Sequence, residues 1–345
     1  MKEYILIDGN NIACRAAFAN EYMANSDGIL SGAHYGFFSI LISLKKKFPE
    51  SQFVVFWDSG SKRRKEESLQ AKNKGVVNET YKENRKKGVT PLPLQTWFDT
   101  GHHLKNALSK TGIPQVMVDG YEADDVIGSY CELLKKENKV VTVTSDHDYY
   151  QLLDDNVCMW DGMKIEYMTK SSFEEEYGIT TKQHVDVGAF MGDKSDNIFG
   201  VPGWGLKTAL KRIKKRGTWE QVLKGIEDKY VSDEQYHEIS DEDFQYLAKK
   251  KTENKNLIYP GIYKGQPHIG LLKLFDERKV KISKQDAMAL IFKDRVKLAY
   301  SLKKMDVNIP DLPEIIETEK DKGKLLEYFE YYDIVSLVNR IEVFY

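Results

Sequence analysis

With 345 residues, 41% of them hydrophobic and 30% charged, the chain has the make-up of a globular protein long enough for two domains. No apolar run approaches the roughly 18 residues that cross a membrane, and the opening MKEYILIDGNN lacks the apolar core and cleavage site of a signal peptide. A cytoplasmic protein without a membrane partner is expected, and Cys14, Cys131 and Cys158, widely spaced and odd in number, suit packing better than a disulfide framework or a cysteine zinc site.

The first element is a short apolar strand, Tyr4 to Ile7, that runs into Asp8; Asn10 and Asn11 then open a helix over Ile12 to Phe18. A second helical periodicity covers Tyr35 to Phe48, and Phe53 to Trp57 reads as a strand closed by Asp58. From Ser59 to Leu94 the sequence turns charged and weakly apolar, too long for an ordinary connection and typical of a functional lid or a disordered stretch. Both SKRRKEESLQAKNKG and ETYKENRKKG within it could form basic helices. Helical spacing resumes over Leu94 to Leu108, and Ile113 to Val118 reads as a strand.

Glu122, Asp124 and Asp125 open an amphipathic helix of about three turns, Val126 to Leu134. Val140 to Thr144 follows as a β-branched, buried strand, and Asp146 and Asp148 come directly after it. Cys158 to Trp160 and Ile165 to Tyr167, around Asp161-Gly162, predict a hairpin at the edge of the sheet. Beyond Gly178 the pattern is helical: His184 to Met191, Leu206 to Lys215, Phe244 to Lys251, Asp286 to Lys303 and Gly323 to Asn339, with Gly261 to Gly270 unassigned. The fold class is α/β: a mostly parallel central sheet flanked by helices over residues 1–180, then a helical region over 181–345.

In an open α/β sheet the carboxyl ends of the strands share one crevice, where ligands bind. Glu122, Asp124, Asp125, Asp146 and Asp148 converge there by this reading, and the strand ends at Ile7 and Trp57 deliver Asp8 and Asp58 to the same edge. Acids in a first helical turn also oppose the helix dipole, but so many in one crevice repel one another unless a hard cation such as magnesium or manganese neutralises them. The net charge of −2 hides the complement: ten Lys or Arg against four Glu between Lys62 and Lys87, and six basic residues without an acid from Lys207 to Arg216. Basic runs are often plain solvated faces, but two of them beside an acidic cluster are the layout of a polyanion held and cut at a metal site. Arg63, Arg64 and Tyr81 are the candidates for nucleic-acid contacts in the first run.

GDKSDNI sets Asp193 and Asp196 three apart after a helix, and GVPGWGLKTALK joins two helices through a glycine turn. Gly200, Gly203 and Gly205 allow close backbone approach, and the helix start with Lys207, Thr208 and Lys211 suits phosphate. This helix-hairpin-helix pattern holds a duplex by its backbone. A P-loop is excluded because Leu206 separates Gly205 from Lys207; adjacent His102 and His103 cannot form a zinc pair, and His147 reads as an exposed neighbour.

DGNN, WDSG, YKENR, YEADD, TSDHDYYQL, GDKSDN and GVPGWGLKTA, in this order over about residues 1–220, resemble the 5′-nuclease family of flap endonucleases, polymerase-linked 5′-nuclease domains and stand-alone phage exonucleases. A weaker echo returns at RVKLAYSLKKM and LLEYFEYYDI. The resemblance implies a PIN-like nuclease core with a helical arch over about 61–93. It implies that Asp8, Asp58, Glu122, Asp124, Asp125, Asp146, Asp148, Asp193 and Asp196 hold two or more Mg²⁺ ions, with Mn²⁺ able to substitute. Asp146, Asp148, Lys82 and Arg85 would serve the chemistry, the last two at the scissile phosphate. Backbone carbonyls of Val201 and Gly203 would hold K⁺. Expected partners are DNA with 5′ ends, flaps or nicks, RNA paired to DNA, and a single-strand-binding protein or replicative polymerase. The competing reading is a branched-DNA binder without catalysis.

Overall fold

The computed structural model describes residues 1–161, 166–231 and 283–345. Apolar, β-branched runs form β1 (Glu3–Asp8), β2 (Gln52–Phe56) and β4 (Lys139–Val143), with the short β3 (Gln115–Val116) beside β2. They lie in the order β3-β2-β1-β4-β5-β6, parallel throughout except that β5 (Val157–Asp161) pairs antiparallel with β6 (Glu166–Met168). The edge hairpin is therefore present, although Gly162 and Ile165 lie outside the described residues.

Strand residues alternate between two cores, as a period of two requires. Ile5, Ile7, Val55, Val141 and Val143 pack with α1 (Gly9–Ala19), α2 (Gly32–Lys47) and α4 (Leu92–Leu108). Leu6, Val54, Phe56 and Val140 pack with α5 (Ala123–Leu134) and the helices beyond it, α7 (Gln183–Met191), α8 (Leu206–Arg216) and α9 (Trp219–Val231). Burial on both faces explains why these strands read as unbroken apolar runs. α6 (Lys170–Tyr177) closes the hairpin edge and ends at Gly178.

The lid region differs from its sequence expectation. Its first basic run is α3 (Lys62–Asn73), but the second makes only a single 3₁₀ turn, Glu83–Lys86. Lys82 sits in the left-handed region at φ 56°, and its N–H is taken by the Asp196 carbonyl at 2.9 Å, so a helix cannot run through it. The segment is a strap tied across the carboxyl edge of the sheet.

Three other expectations shift. Between α7 and α8 the chain adds a two-residue hairpin, β7 (Gly192–Asp193) with β8 (Ile198–Phe199). A Cβ on Gly200 would stand 2.3 Å from the Phe190 carbonyl, and Gly192 has φ 70°, so the clasp requires both glycines. The predicted helix Asp286 to Lys303 is split at Phe292 into α10 (Lys284–Ile291) and α11 (Lys293–Lys303). The predicted helix Gly323 to Asn339 is α12 (Lys322–Tyr331) followed by 3₁₀ turns over Val335–Phe344, the break falling at Asp333 with φ 52°. Phe244 to Lys251 and Gly261 to Gly270 lie outside the described residues. Among the described residues no helix is long and apolar enough to cross a membrane.

Candidate active site

Sheet order alone locates the crevice. From β1 the chain winds outward through β2 and β3, then returns to place β4 on the other side of β1, so the winding reverses between β1 and β4. Asp8 ends β1 there and caps α1, accepting from Asn11 N at 3.0 Å, while its second oxygen accepts from Tyr149 Oη at 3.1 Å. Asp58, two residues past β2, accepts from Ala123 N at 2.7 Å and so fixes the start of α5. Asp146, beyond β4, accepts from Asp148 N at 2.9 Å. Asp8 and Asp146 are each oriented by a backbone N–H of the turn they begin, and Asp58 by one from the start of α5.

Asp58 and Asp146 are open to solvent yet stand deep in the cleft, with protein on most sides. Desolvation first, and the neighbouring Asp58 second, push Asp8 up to about 8. Desolvation and then Asp148 push Asp146 up to about 7, and desolvation likewise raises Asp58. Among the described residues none of these three acids forms an ion pair.

The remaining acids are held by four cations. Arg64, 1% exposed, donates to Glu122 at 2.6 Å, to both oxygens of Asp124 at 3.2 and 3.0 Å, to Asp125 at 2.8 Å, and through Nε to the Leu302 carbonyl at 2.9 Å. Desolvation would raise Asp124, but the Arg64 charge outweighs it and holds that carboxyl below its ordinary value. Lys82 Nζ lies 2.8 Å from Glu122 and 3.8 Å from Asp196, and Arg85 pairs with Asp196 at 2.5 Å. Lys303 bridges Asp148 at 2.8 Å and Asp193 at 3.2 Å.

Three predicted nucleic-acid contacts are thereby corrected. Arg64 is internal and fully engaged by acids, so it faces no ligand. Tyr81, 7% exposed, donates its hydroxyl to Glu122 at 2.8 Å, with no free ring face for a base. Arg63 is turned to the Ser301 and Lys304 carbonyls at 2.7 and 2.9 Å. Asp125, predicted as a metal ligand, is 1% exposed and accepts from both Arg64 and Asp306 N, so it supports the cluster from behind.

Sequence reasoning missed Lys303. The available signal was its register: with Val296 and Ala299 it falls on the buried stripe of α11, where a lysine needs a partner. Arg64, with Ser68 and Ala71 on the buried stripe of α3, carried the same signal.

The donor set fits a hard divalent cation. It is oxygen only, and Asp8, Asp58 and Asp146 are raised by their place in the cleft and form no ion pair among the described residues, Lys82 and Lys303 acting on Asp58 and Asp146 without contact. As placed among the cations, no three of the described acids converge on one common centre.

A second surface lies on α8. Lys207, Thr208, Lys211, Arg212 and Lys215 line, with Gln285, a groove of about 490 Å³. Lys207, Lys211 and Lys215 are exposed, and Arg212 is anchored on Asp286 at 2.6 Å. Gly205 precedes the helix, its carbonyl accepting from Thr208 N and Ala209 N at 3.0 Å, and no side chain caps the first turn. Gly200 serves the hairpin clasp instead, and the Val201 carbonyl already accepts from Trp204 N at 3.0 Å. His147 stacks on Tyr150 at 4.9 Å.

The family model for the 5′-3′ exonuclease N-terminal resolvase-like domain matches residues 3–178, and that for the 5′-3′ exonuclease C-terminal SAM fold matches residues 179–253. The chain belongs to the 5′-3′ exonuclease family. It is an enzyme of that class, a nuclease that hydrolyses phosphodiesters.

The 5′-3′ exonuclease of Aquifex aeolicus is 34% identical over 228 residues, covering 66% of this chain and 74% of its own. That of Bacillus subtilis is 35% identical, covering 64% and 73%. DNA polymerase I of Bacillus caldotenax is 35% identical, but the match spans only 25% of that protein. Among solved structures, zinc-bound T5 5′-exonuclease shares the fold with a TM-score of 0.53 at 21% identity, over 86% of this chain and 100% of that one. The catalytic core of Rad2 in complex with DNA substrate gives 0.56 at 15%, over 99% and 93%.

Proposed function

We propose that this family member is a divalent-metal-dependent, structure-specific 5′-nuclease that removes 5′ ends and flaps from DNA. The observation that carries the reading is the set of acids that form no ion pair among the described residues, Asp8, Asp58 and Asp146, at the reversal point of the sheet beneath a basic strap. Divalent ions are bound in the T5 5′-exonuclease structure, and DNA in that of Rad2, which points the same way.

Asp8, Asp58, Asp124, Asp146 and Asp148 would hold the ions, with Glu122, Asp193 and Asp196 at the margin. Mg²⁺ is the proposed ion, and Mn²⁺ its substitute. When bound, such ions supply a hydroxide nucleophile at neutral pH and charge for the leaving oxygen. The chain's own contribution is positional. Desolvation disfavours the Lys82 ammonium, but Asp196 and Glu122 outweigh it and keep it charged beside the cleft. There it can meet the charge that gathers on a phosphoryl group in the transition state. Arg85, exposed above Asp196, can take the neighbouring 5′ phosphate.

The α8 groove would hold duplex by its backbone, through the helix start and Lys207, Thr208 and Lys211. Carbonyls at Val201 and Gly203 are the proposed K⁺ ligands. The domain division is proposed near residue 180, and RNA paired to DNA, a single-strand-binding protein and a polymerase as further partners. The test is Asp146→Asn combined with Asp148→Asn, assayed on 5′-flap, nicked, blunt and RNA-primed duplexes. Magnesium-dependent cleavage should vanish while binding in calcium persists within about threefold. Cleavage at the wild-type rate would remove these acids from the mechanism.

A further inference from the structure

α11 begins forty residues beyond the last residue of the family match, yet its last residue enters the acidic cleft. Lys303 is 7% exposed, and its ammonium holds two carboxylates from different elements, Asp148 after β4 and Asp193 on the β7–β8 hairpin. Its backbone is fixed on both sides. The Leu302 carbonyl accepts from Arg64, the Lys303 carbonyl accepts from Gln151 at 3.0 Å, and Met305 and Asp306 donate to Gln151 and Asp125 at 2.9 and 2.7 Å.

α7 is shaped for the same side chain. At Gly188 a Cβ would stand 2.8 Å from both Cδ and Cε of Lys303, so the absence of a side chain there makes the channel through which the stem reaches the acids.

We propose that Lys303 is a resident counter-ion: it takes, between Asp148 and Asp193, the place of one divalent ion, so that the cleft loads fewer ions than its acids would otherwise hold. This rests on the metal-site reading above. Two carboxylates on separate elements repel unless a cation lies between them. A covalently attached ammonium fills that role without waters of its own and without leaving when divalent ions are withdrawn. Lys303 is thus a positioning residue for Asp148 and Asp193.

Bound ions can be counted on the full chain from the electron paramagnetic resonance of free Mn²⁺, with calcium calorimetry as a second measure. Lys303→Met should bind one more ion per chain than wild type, or bind its weakest ion at least tenfold tighter. Lys303→Arg should keep the wild-type count. Gly188→Ala, which displaces the stem without removing any charge from the chain, should shift as Lys303→Met does; it carries the test if the methionine variant does not fold. Folded Lys303→Met and Gly188→Ala proteins with the wild-type count and affinity would overturn the proposal. A wild type that binds no divalent ion would overturn the metal reading as well.

Discussion

Asp8 shows at the scale of one residue what the ion-free site costs the fold. Its carboxyl ordinarily titrates near 3.8 and is pushed up to about 8 by desolvation and then by Asp58. A group whose folded pKa is raised favours the folded state fully below its unfolded value, and that contribution is lost as pH climbs through the folded value. Without divalent ions, stability should therefore fall between about pH 4 and 8, with Asp146, raised to about 7, adding to the slope. Asp8→Asn removes the charge and keeps the cap on Asn11, because asparagine caps helices as well as aspartate. In EDTA at pH 8 the variant should melt higher than wild type by a few kcal/mol of stability, at ~1.4 kcal/mol per pKa unit, and the gap should close near pH 4. In magnesium the order should reverse, since ions that bind the folded state stabilise only the chain that retains Asp8. Thermal melts across pH would contradict this if the two proteins kept a constant difference.

The acids were legible one by one because aspartate directly after an apolar strand is easily seen in sequence. What was not legible is which way a basic residue faces. Arg64 and Lys207 both lie in lysine- and arginine-rich runs, yet one is internal and the other exposed. Only the buried stripe each helix forms against its neighbours decides between them.

For elements, the legible and the hidden divide by range of interaction. α1, α2, α4, α5, α7 and α8 follow their own apolar periodicity and fall where the sequence puts them. The strap around Lys82 does not, because its conformation is set by the Asp196 carbonyl more than a hundred residues away. The β7–β8 hairpin is as non-local, depending on the clasp of Gly192 against Gly200. α8 allows an element-scale prediction. Lys207, Lys211 and Lys215 are exposed along one groove, so replacing all three by glutamine should leave the melting temperature within about 2 °C, as surface changes do. If each meets a phosphate, the slope of log affinity for duplex against log salt should flatten by about 0.9 per lost contact, between two and three in all. An unchanged slope, measured by anisotropy in calcium, would move the duplex elsewhere on the surface.

Across the whole molecule, the stretch least tied to the family match does the most to close the structure. The family-model matches end at residue 253. Residues 283–345 nonetheless reach both cores: α11 packs on α3 and α7, while α12 and the turns after it complete the core of α1, α2 and α4. Leu325, Phe329, Tyr332, Ile334, Leu337, Ile341 and Phe344 are all at most 3% exposed. Tyr332 stacks on His34 at 3.8 Å, and Tyr328 and Thr100 occupy both His34 ring nitrogens at 2.6 and 2.9 Å. LLEYFEYYDI was visible in sequence as an apolar helix, but nothing local says that it seals a core built by the strands and by α1, α2 and α4. Seven large apolar side chains, at roughly 1.5–3 kcal/mol each, amount to the whole stability of an ordinary domain, about 5–15 kcal/mol. A chain ending at Glu319 keeps every acid of the cleft, α8 and Lys303, yet should lose its cooperative thermal transition and its near-ultraviolet circular dichroism. Loss of cleavage would then reflect unfolding, with magnesium failing to restore the signal at concentrations that saturate the intact protein. A truncated chain that melts sharply within about 5 °C of full length would show that the two cores are energetically separate.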